Sequence, residues 1–274
     1  MSSPADLEPW IRLGAFAGVL GMLAVAEVLA PRRSQIVGRG RRWPANLGLV
    51  ALDTLAVRVL FPTAAIGIAL AAQERGWGLF GAVDLAGWVE IAVAVVLLDL
   101  VVWAQHVLFH RVPALWRIHR VHHADLECDV TTGLRFHPVE IVASMLVKFA
   151  AVVGIGAPPL AELIFEVVLN ASAMWSHANI RLPLGLDRVL RRVLVTPDMH
   201  RTHHSVVGQE THSNFGFNLA VWDRLFGTYR AQPAAGHEGM TIGVPQFRNP
   251  AELRLDRMLL QPLRRGDPVE ESRP

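Results

Sequence analysis

Five long apolar stretches dominate this sequence. They span residues 11–30, 46–70, 87–104, 139–157 and 160–175. A helix of twenty residues rises about 30 Å, which is the thickness of the hydrocarbon core of a bilayer. Only Pro158 and Pro159 separate the last two stretches, as in a helical hairpin. The pattern predicts an all-α fold: an integral membrane bundle of four to five transmembrane helices.

The composition excludes several other classes of protein. Hydrophobic residues make up 52% of the chain and charged residues 18%, whereas soluble domains carry roughly a quarter charged residues. A formal net charge of +2 is too small for a nucleic-acid-binding protein. The single cysteine, Cys128, excludes an internal disulfide framework and any cysteine-rich zinc or iron–sulfur site.

The distribution of arginines predicts how the chain is oriented. The first stretch lacks a basic leader and a cleavage site, so we expect a retained helix. Segment 31–42 holds five arginines and no acid, whereas loop 71–86 holds one arginine and two acids. The positive-inside rule then places segment 31–42 in the cytoplasm and the N-terminus outside. Counting crossings forward puts every histidine and the C-terminus in the cytoplasm, and the arginine- and alanine-rich composition suggests a bacterial inner membrane.

The histidines are the residues that most strongly indicate a function, since the chain contains twelve histidines and only one tyrosine. Residues three and four apart share one face of a helix, and this spacing occurs in three clusters. Neutral imidazole is the commonest metal ligand and suits iron, copper, nickel and zinc. Ten imidazoles exceed what one ion accepts and fit two adjacent ions in a cytoplasmic, helical, histidine-rich cap. They are the clusters His106 and His110; His119, His122 and His123; and His200, His203 and His204, with the single residues His137 and His177.

The spacing of the histidines argues against three other classes of metal-binding protein. A zincin requires an HExxH motif, a di-haem cytochrome pairs single histidines across two helices, and a transporter binds metal near the midplane. None of these matches the clusters. His212 and His237 lie in polar loops and are expected to be ordinary polar residues. An oxygen-activating di-iron centre, a hydrolytic di-zinc centre and a non-catalytic metal-binding protein remain open.

The order of the histidine segments resembles a known superfamily. They read HVLFH (106–110), HRVHH (119–123), RFHPVE (135–140), SHANI (176–180) and HRTHH (200–204), followed by SNFGFNLAVWDRLFGTYR (213–230). Over residues 95–230 this set resembles the sterol desaturase / fatty acid hydroxylase superfamily of membrane di-metal oxygenases. The resemblance makes the eight clustered histidines box ligands and His177 an additional ligand, and His137 matches an HPxE element. The first box departs from the usual pattern, since Val107 replaces an arginine.

The resemblance implies an activity and its partners. We expect an O2-dependent oxidoreductase that hydroxylates or desaturates a C–H bond of a sterol, fatty acyl or related lipid. It would carry two iron ions, with zinc as a possible substitute. No HPGG segment of the cytochrome b5 type occurs, so electrons are expected from a separate ferredoxin- or cytochrome b5-like donor. The expected organisation is N-terminal helices with a basic loop over residues 1–94, the histidine-box domain over 95–230 and a tail over 231–274.

Three polar residues are candidates to support the histidines. Asp99 shares one helix face with Trp103 and His106, and a carboxylate inside a spanning helix is costly. Asp99 is therefore expected either to orient a histidine or to contact another helix, or Arg58. Asn179 and Asn214 are weaker candidates of the same kind.

Overall fold

A computed structural model describes residues 4–83 and 85–265 of the chain, and in these residues the backbone is mainly helical without any β-strand. Short 3-10 helices lie at Thr132–Leu134, Pro250–Leu253 and Gln261–Leu263. The α-helices of the described residues are α1 (Pro4–Leu29), α2 (Arg39–Leu60), α3 (Ala64–Glu74), α4 (Leu79–Ala82), α5 (Gly87–Arg111), α6 (Pro113–His123), α7 (Pro138–Ile155), α8 (Pro159–His177), α9 (Leu184–Leu190), α10 (Pro197–His203), α11 (Gly208–Thr211), α12 (Val221–Leu225), α13 (Gly236–Gly239) and α14 (Leu255–Leu260).

The predicted membrane bundle is confirmed. All five apolar stretches form helices, and the second is divided between α2 and α3 because Pro62 cannot continue a helix. The fifth stretch forms α8 but is not among the helices that are long and apolar enough to span a bilayer. Within the described residues four segments meet that description: Pro9–Leu29, Arg39–Ala82, Gly87–Arg111 and Pro138–Ile155.

Small residues allow the helices of the bundle to approach one another. One buried core joins α3, α5, α7 and α8 through alanines such as Ala69, Ala94 and Ala161 around Phe165, as is common in membrane interiors. The hairpin expected of α7 and α8 is modified, because α7 packs mainly against α2, α3 and α5, and α8 mainly against α1 and α5. Between them the side chain of Lys148 on α7 reaches Glu166 on α8, at 2.5 Å.

The two ends of the chain pack onto the same body as the histidine segments. α1 lies along α8, with Leu23 against Met174. In the tail, Met258 of α14 packs against Leu49 of α2 and Val121 of α6. The N-terminal helices and the tail therefore form the walls of the structure that holds the histidines.

Candidate metal centre

Nine of the ten predicted histidine ligands gather at one end of the bundle, where α5 and α8 end and α7 begins. All nine are buried, and within each of two groups the candidate ligand atoms lie within 4.8 Å of one another. The five-histidine group is His106, His110, His119, His123 and His203, and the four-histidine group is His122, His177, His200 and His204.

Two short helices that begin with proline bring these residues together. α6 begins at Pro113, close to the end of α5. The chain changes direction between the two helices, so the histidines of α6 face those at the end of α5. α10 begins at Pro197 and is capped by the hydroxyl of Thr196, which accepts from the N–H of Met199. The three histidines of one HxxHH segment are therefore divided between the two groups. His119 and His123 of α6 join the five-histidine group.

The tautomers of two histidines in the five-histidine group are fixed by acceptors behind the rings. Nδ1 of His106 donates to the carbonyl of Phe215 at 2.7 Å, and Nδ1 of His203 donates to the carbonyl of Ser213 at 2.7 Å. A carbonyl can only accept, so Nε2 of both rings carries a lone pair. These two Nε2 atoms lie 3.1 Å apart, and Nε2 of His119 lies 3.1 Å from that of His106. Converging lone pairs repel one another unless a cation lies between them.

The four-histidine group repeats this arrangement around His177. Its Nδ1 donates to the carbonyl of Ala173 at 2.6 Å, which leaves the lone pair on Nε2. That Nε2 lies 3.0 to 3.1 Å from Nε2 of His122, His200 and His204. One lone pair accepts one hydrogen bond at full strength, so hydrogen bonding does not account for three such neighbours. Nitrogens about 2.1 Å from one ion and at right angles to each other lie about 3.0 Å apart, which matches this spacing.

Buried ring nitrogens without partners also fit a bound metal. In the described residues both nitrogens of His110 and of His123 are buried and make no hydrogen bond, which is costly for polar atoms. Burial, and after it the neighbouring imidazoles, hold the pKa values of His122, His200 and His204 well below the ordinary 6.5. These rings are therefore neutral at neutral pH, as a metal ligand must be.

Glu140 is a supporting residue that we did not predict. It lies in the first turn of α7, and its Oε1 accepts a hydrogen bond from Nδ1 of His119 at 2.6 Å. A carboxylate behind a ligating imidazole fixes the ring and raises its basicity. The HPVE sequence at 137–140 was the available signal, because it places the glutamate three residues after His137, where the helix starts.

Replacing Glu140 by glutamine is expected to weaken metal binding at the five-histidine group by about 10- to 100-fold, because the charged acceptor behind His119 is lost. Competition with a chelator, followed by metal analysis of the purified chain, measures this. Glu90→Gln is the matched control, since Glu90 lies in the first turn of α5, at the opposite end of the helix from His110. Equal retention of metal by both variants would show that the Glu140 contact does not support binding.

Asp223 is a second residue that the sequence did not single out. Its Oδ1 accepts from the backbone N–H of Phe215 at 2.8 Å and from the indole N–H of Trp103 at 3.1 Å. The carbonyl of Phe215 in turn accepts from His106. Asp223 thus holds the loop whose carbonyl accepts from His106.

The structure does not bring Asp99 to a histidine. Its Oδ2 accepts from the indole N–H of Trp222 at 2.8 Å and from the backbone N–H of Leu219 at 3.2 Å. Asp99 was expected to orient a histidine or to contact another helix or Arg58. The structure shows the contact with another helix, because Trp222 belongs to α12. Asp99 therefore anchors the segment after the last histidine cluster to a membrane-spanning helix.

Asn179 and Asn214 both hold backbone near the histidines. The side chain of Asn179 accepts from the N–H and donates to the carbonyl of Arg33, at 3.0 and 2.8 Å. This ties the basic segment to the residues just after His177. Asn214 adopts a φ of 53°, which asparagine tolerates, and donates to the carbonyls of Met199 and Arg230.

His137 is the predicted ligand that lies outside both groups. It is the N-cap of α7, where Nδ1 accepts from the N–H of Val139 at 3.2 Å, and Nε2 lies 3.3 Å from the carbonyl of Leu259. Both ring nitrogens are therefore occupied by backbone groups. We do not include His137 in the proposed ligand set.

A bundle of apolar helices with nine buried histidines at one end defines an integral membrane protein with a histidine-rich candidate metal centre. The model of the fatty acid hydroxylase family matches residues 91–228. This covers half of the chain and includes every histidine of both groups. The chain belongs to the fatty acid hydroxylase family.

Several characterised proteins are similar to part of the chain. Ornithine lipid hydroxylase OlsE of Rhizobium tropici is 29% identical over 144 residues, which cover 53% of this chain and 43% of the relative. Alkylglycerol monooxygenase of Homo sapiens is 27% identical over 142 residues, covering 52% and 31%. Cholesterol 25-hydroxylase of Rattus norvegicus is 25% identical over 147 residues, covering 53% and 48%. The match thus spans less than half of each of these relatives, and no solved structure matches the chain.

Proposed function

We propose that this protein is a membrane-bound oxygenase that hydroxylates or desaturates a C–H bond of a lipid, using O2 and electrons from a separate donor. The observation that carries the proposal is the convergence of Nε2 lone pairs in two adjacent groups, with tautomers set by carbonyl and carboxylate acceptors. Family membership and relatives named for lipid hydroxylation support the substrate class.

The proposed ligands are the nine histidines of the two groups, and the proposed ions are two irons. Imidazole suits iron as well as zinc. Bound iron would supply the activation of O2 that cleavage of an unactivated C–H bond requires. In hydroxylation one oxygen atom enters the substrate and the other leaves as water. Two electrons and two protons come from outside, and in desaturation both oxygen atoms leave as water.

The chain's own residues position the ligands and exclude water. Aromatic rings line the histidines. Phe136 stacks on His122 with ring centroids 4.6 Å apart, and Phe217 lies 5.1 Å from the ring of His106. Phe215 is fully buried. Such a dry site strengthens electrostatic interactions and protects reactive species from solvent. Phe217 is only partly buried, so we propose that the lipid approaches the histidines past its ring.

The proposed setting is the bilayer itself. Four apolar segments long enough to span a membrane fit an integral membrane protein, and an acyl, sterol or related substrate would reach the centre from the lipid phase. The proposed orientation keeps the histidines in the cytoplasm of a bacterial cell, because the arginine-rich segment 31–42 lies at the same end of the helices. A ferredoxin- or cytochrome b5-like protein on that side would deliver the electrons.

The test uses the full chain, purified in detergent from iron-replete cells. We expect two irons per chain and, with lipid extract and a chemical reductant, incorporation of isotopically labelled oxygen gas into a lipid product or the appearance of a double bond. Omitting O2 or the reductant should abolish the product. Conversion that persists without O2 and incorporates oxygen from water would instead show a hydrolase, and a chain that binds no metal would overturn the proposal.

A further inference from the structure

Residues 184–194, which include α9, carry their apolar side chains outwards. Leu184, Val189 and Val193 are 70%, 60% and 58% exposed, and Leu186 and Leu194 are exposed as well. These side chains do not contribute to either buried core described above. An outward apolar face of this length on a short helix requires an apolar neighbour.

Two charged side chains of the same segment point inwards. Asp187 and Arg191 are buried and form an ion pair at 2.5 Å. Arg191 also donates to the carbonyl of Ala231 at 2.7 Å. A helix that faces water keeps its leucines and valines inside. The exposed leucines and valines indicate that the outer face of this segment does not lie wholly in bulk water.

The apolar surface continues onto α12. The backbone N–H of Ala220 donates to the carbonyl of Val193 at 2.8 Å, which places α12 beside the segment. There Leu225 and Phe226 are exposed. We call this continuous surface the outward patch. It consists of Leu184, Leu186, Val189, Val193, Leu194, Leu225 and Phe226.

The outward patch adjoins helices of the membrane bundle. The ring of Phe226 stacks on Trp103 of the spanning helix α5, with centroids 4.5 Å apart. At its other end, α9 begins four residues after Ile180, which pairs with Pro31 at the end of α1. The patch therefore starts close to the point where α1 and α8 end.

The charges beside the patch are positive. Arg188 and Arg192 are exposed on the same segment, whereas the only acid between residues 181 and 194 is the buried, paired Asp187. Apolar residues interleaved with arginines are typical of segments that lie in the surface of an anionic membrane. Guanidinium groups bind phosphate oxygens with two parallel hydrogen bonds.

We propose that the outward patch lies in the surface of the same bilayer that the helices span, with Arg188 and Arg192 at anionic lipid headgroups. Continuity with α5 and the local positive charge favour the lipid surface over other occupants. The histidine-rich end is then held against the membrane by its own surface as well as by the helices. This inference does not depend on a metal or on the proposed reaction.

Site-directed spin labelling of the full chain in lipid nanodiscs tests the proposal. The native Cys128 is only 4% exposed, so a cysteine introduced by Val189→Cys can be labelled selectively, with the unmodified chain as the blank. We expect collisions with O2 to exceed collisions with a water-soluble nickel chelate at position 189. Leu186→Cys gives a second position on the patch. Gln209→Cys, at an exposed polar residue of α11, is the control and should show the reverse order.

Lipid charge tests the role of the arginines. The label at position 189 should lie deeper in nanodiscs that contain anionic phospholipid than in purely zwitterionic ones, and Arg188→Gln with Arg192→Gln should remove that difference. Greater access of nickel at positions 186 and 189, as at 209, would overturn the proposal. Spin–spin broadening that disappears on dilution with unlabelled chain would assign the patch to a second copy instead. Equal depth in both lipids would overturn the headgroup contact.

Discussion

Replacing His177 by alanine is expected to remove about one of two metal ions per chain and to reduce lipid oxidation to background. Nε2 of His177 lies within 3.1 Å of three other ring nitrogens, so it is the centre of the four-histidine group. It does not belong to the five-histidine group. The loss in rate should be roughly a thousandfold or more, equivalent to about 4 kcal/mol of barrier, because both ions are needed for the proposed reaction.

Metal analysis and product assays on the purified variant check this result. His137→Ala is the matched control, because His137 is also buried at the same end of the bundle but lies outside both groups. We expect it to keep both ions and to lose only the stability of a helix cap, about 1 kcal/mol. If His137→Ala lost an ion and His177→Ala kept two, the assignment of ligands to the two groups would be wrong.

The helices were predictable because their signals are local. The apolar runs predicted α7 and α8 to within a few residues, and they predicted the end but not the start of α1, which begins at Pro4 rather than at residue 11. The third apolar run ends at residue 104, and the helical spacing of His106 and His110 placed both at the end of the same helix, as α5, which continues to Arg111, shows. The extra turns contain His106 and His110, which are polar in sequence and buried in the structure. Hydropathy cannot distinguish a polar residue that faces an interior site from one that ends a helix.

The division of the histidines into two groups was not predictable from spacing. The HxxHH pattern predicts that His200, His203 and His204 share a face, and all three are buried at the centre. Which ring joins which group depends on how α6 and α10 cross. The tautomers depend on carbonyls at positions 213 and 215, which only the folded loop brings behind the rings. The grouping and the tautomers of the histidines are therefore determined by contacts between distant parts of the folded chain, which a local sequence pattern does not contain.

Charged residues of the basic segment illustrate the same limit. Segment 31–42 was read only as a topological signal, yet Arg42 is fully buried. Its guanidinium binds both oxygens of Asp125, at 2.8 and 3.0 Å, and Oδ2 of Asp129 at 2.6 Å. More than eighty residues separate these partners in sequence. No local pattern distinguishes this arginine from its exposed neighbour Arg41.

Arg42→Met is accordingly expected to destabilise the protein by about 3–5 kcal/mol, because it leaves two buried carboxylates without their cation. Burial alone would raise the pKa of Asp125, but the charges of Arg42 and Arg135 hold that pKa well below 3.8. Asp125 is therefore ionised in the folded protein at neutral pH. Its contribution to stability is lost only as the pH falls below the pKa that Asp125 has in the unfolded chain. Removing Arg42 at neutral pH leaves that buried charge with only the charge of Arg135 to offset it.

Thermal unfolding of the full chain in detergent measures the effect as a fall in Tm on the order of 10 °C. Arg41→Met removes the same charge from an exposed position and should change Tm little. Adding Asp125→Asn to Arg42→Met should recover part of the loss, since it removes an uncompensated charge. Asp125 lies two residues after His123, so the single variant should also retain less metal. Equal Tm values for Arg42→Met and Arg41→Met would show that the buried cluster does not hold the histidine segment in place.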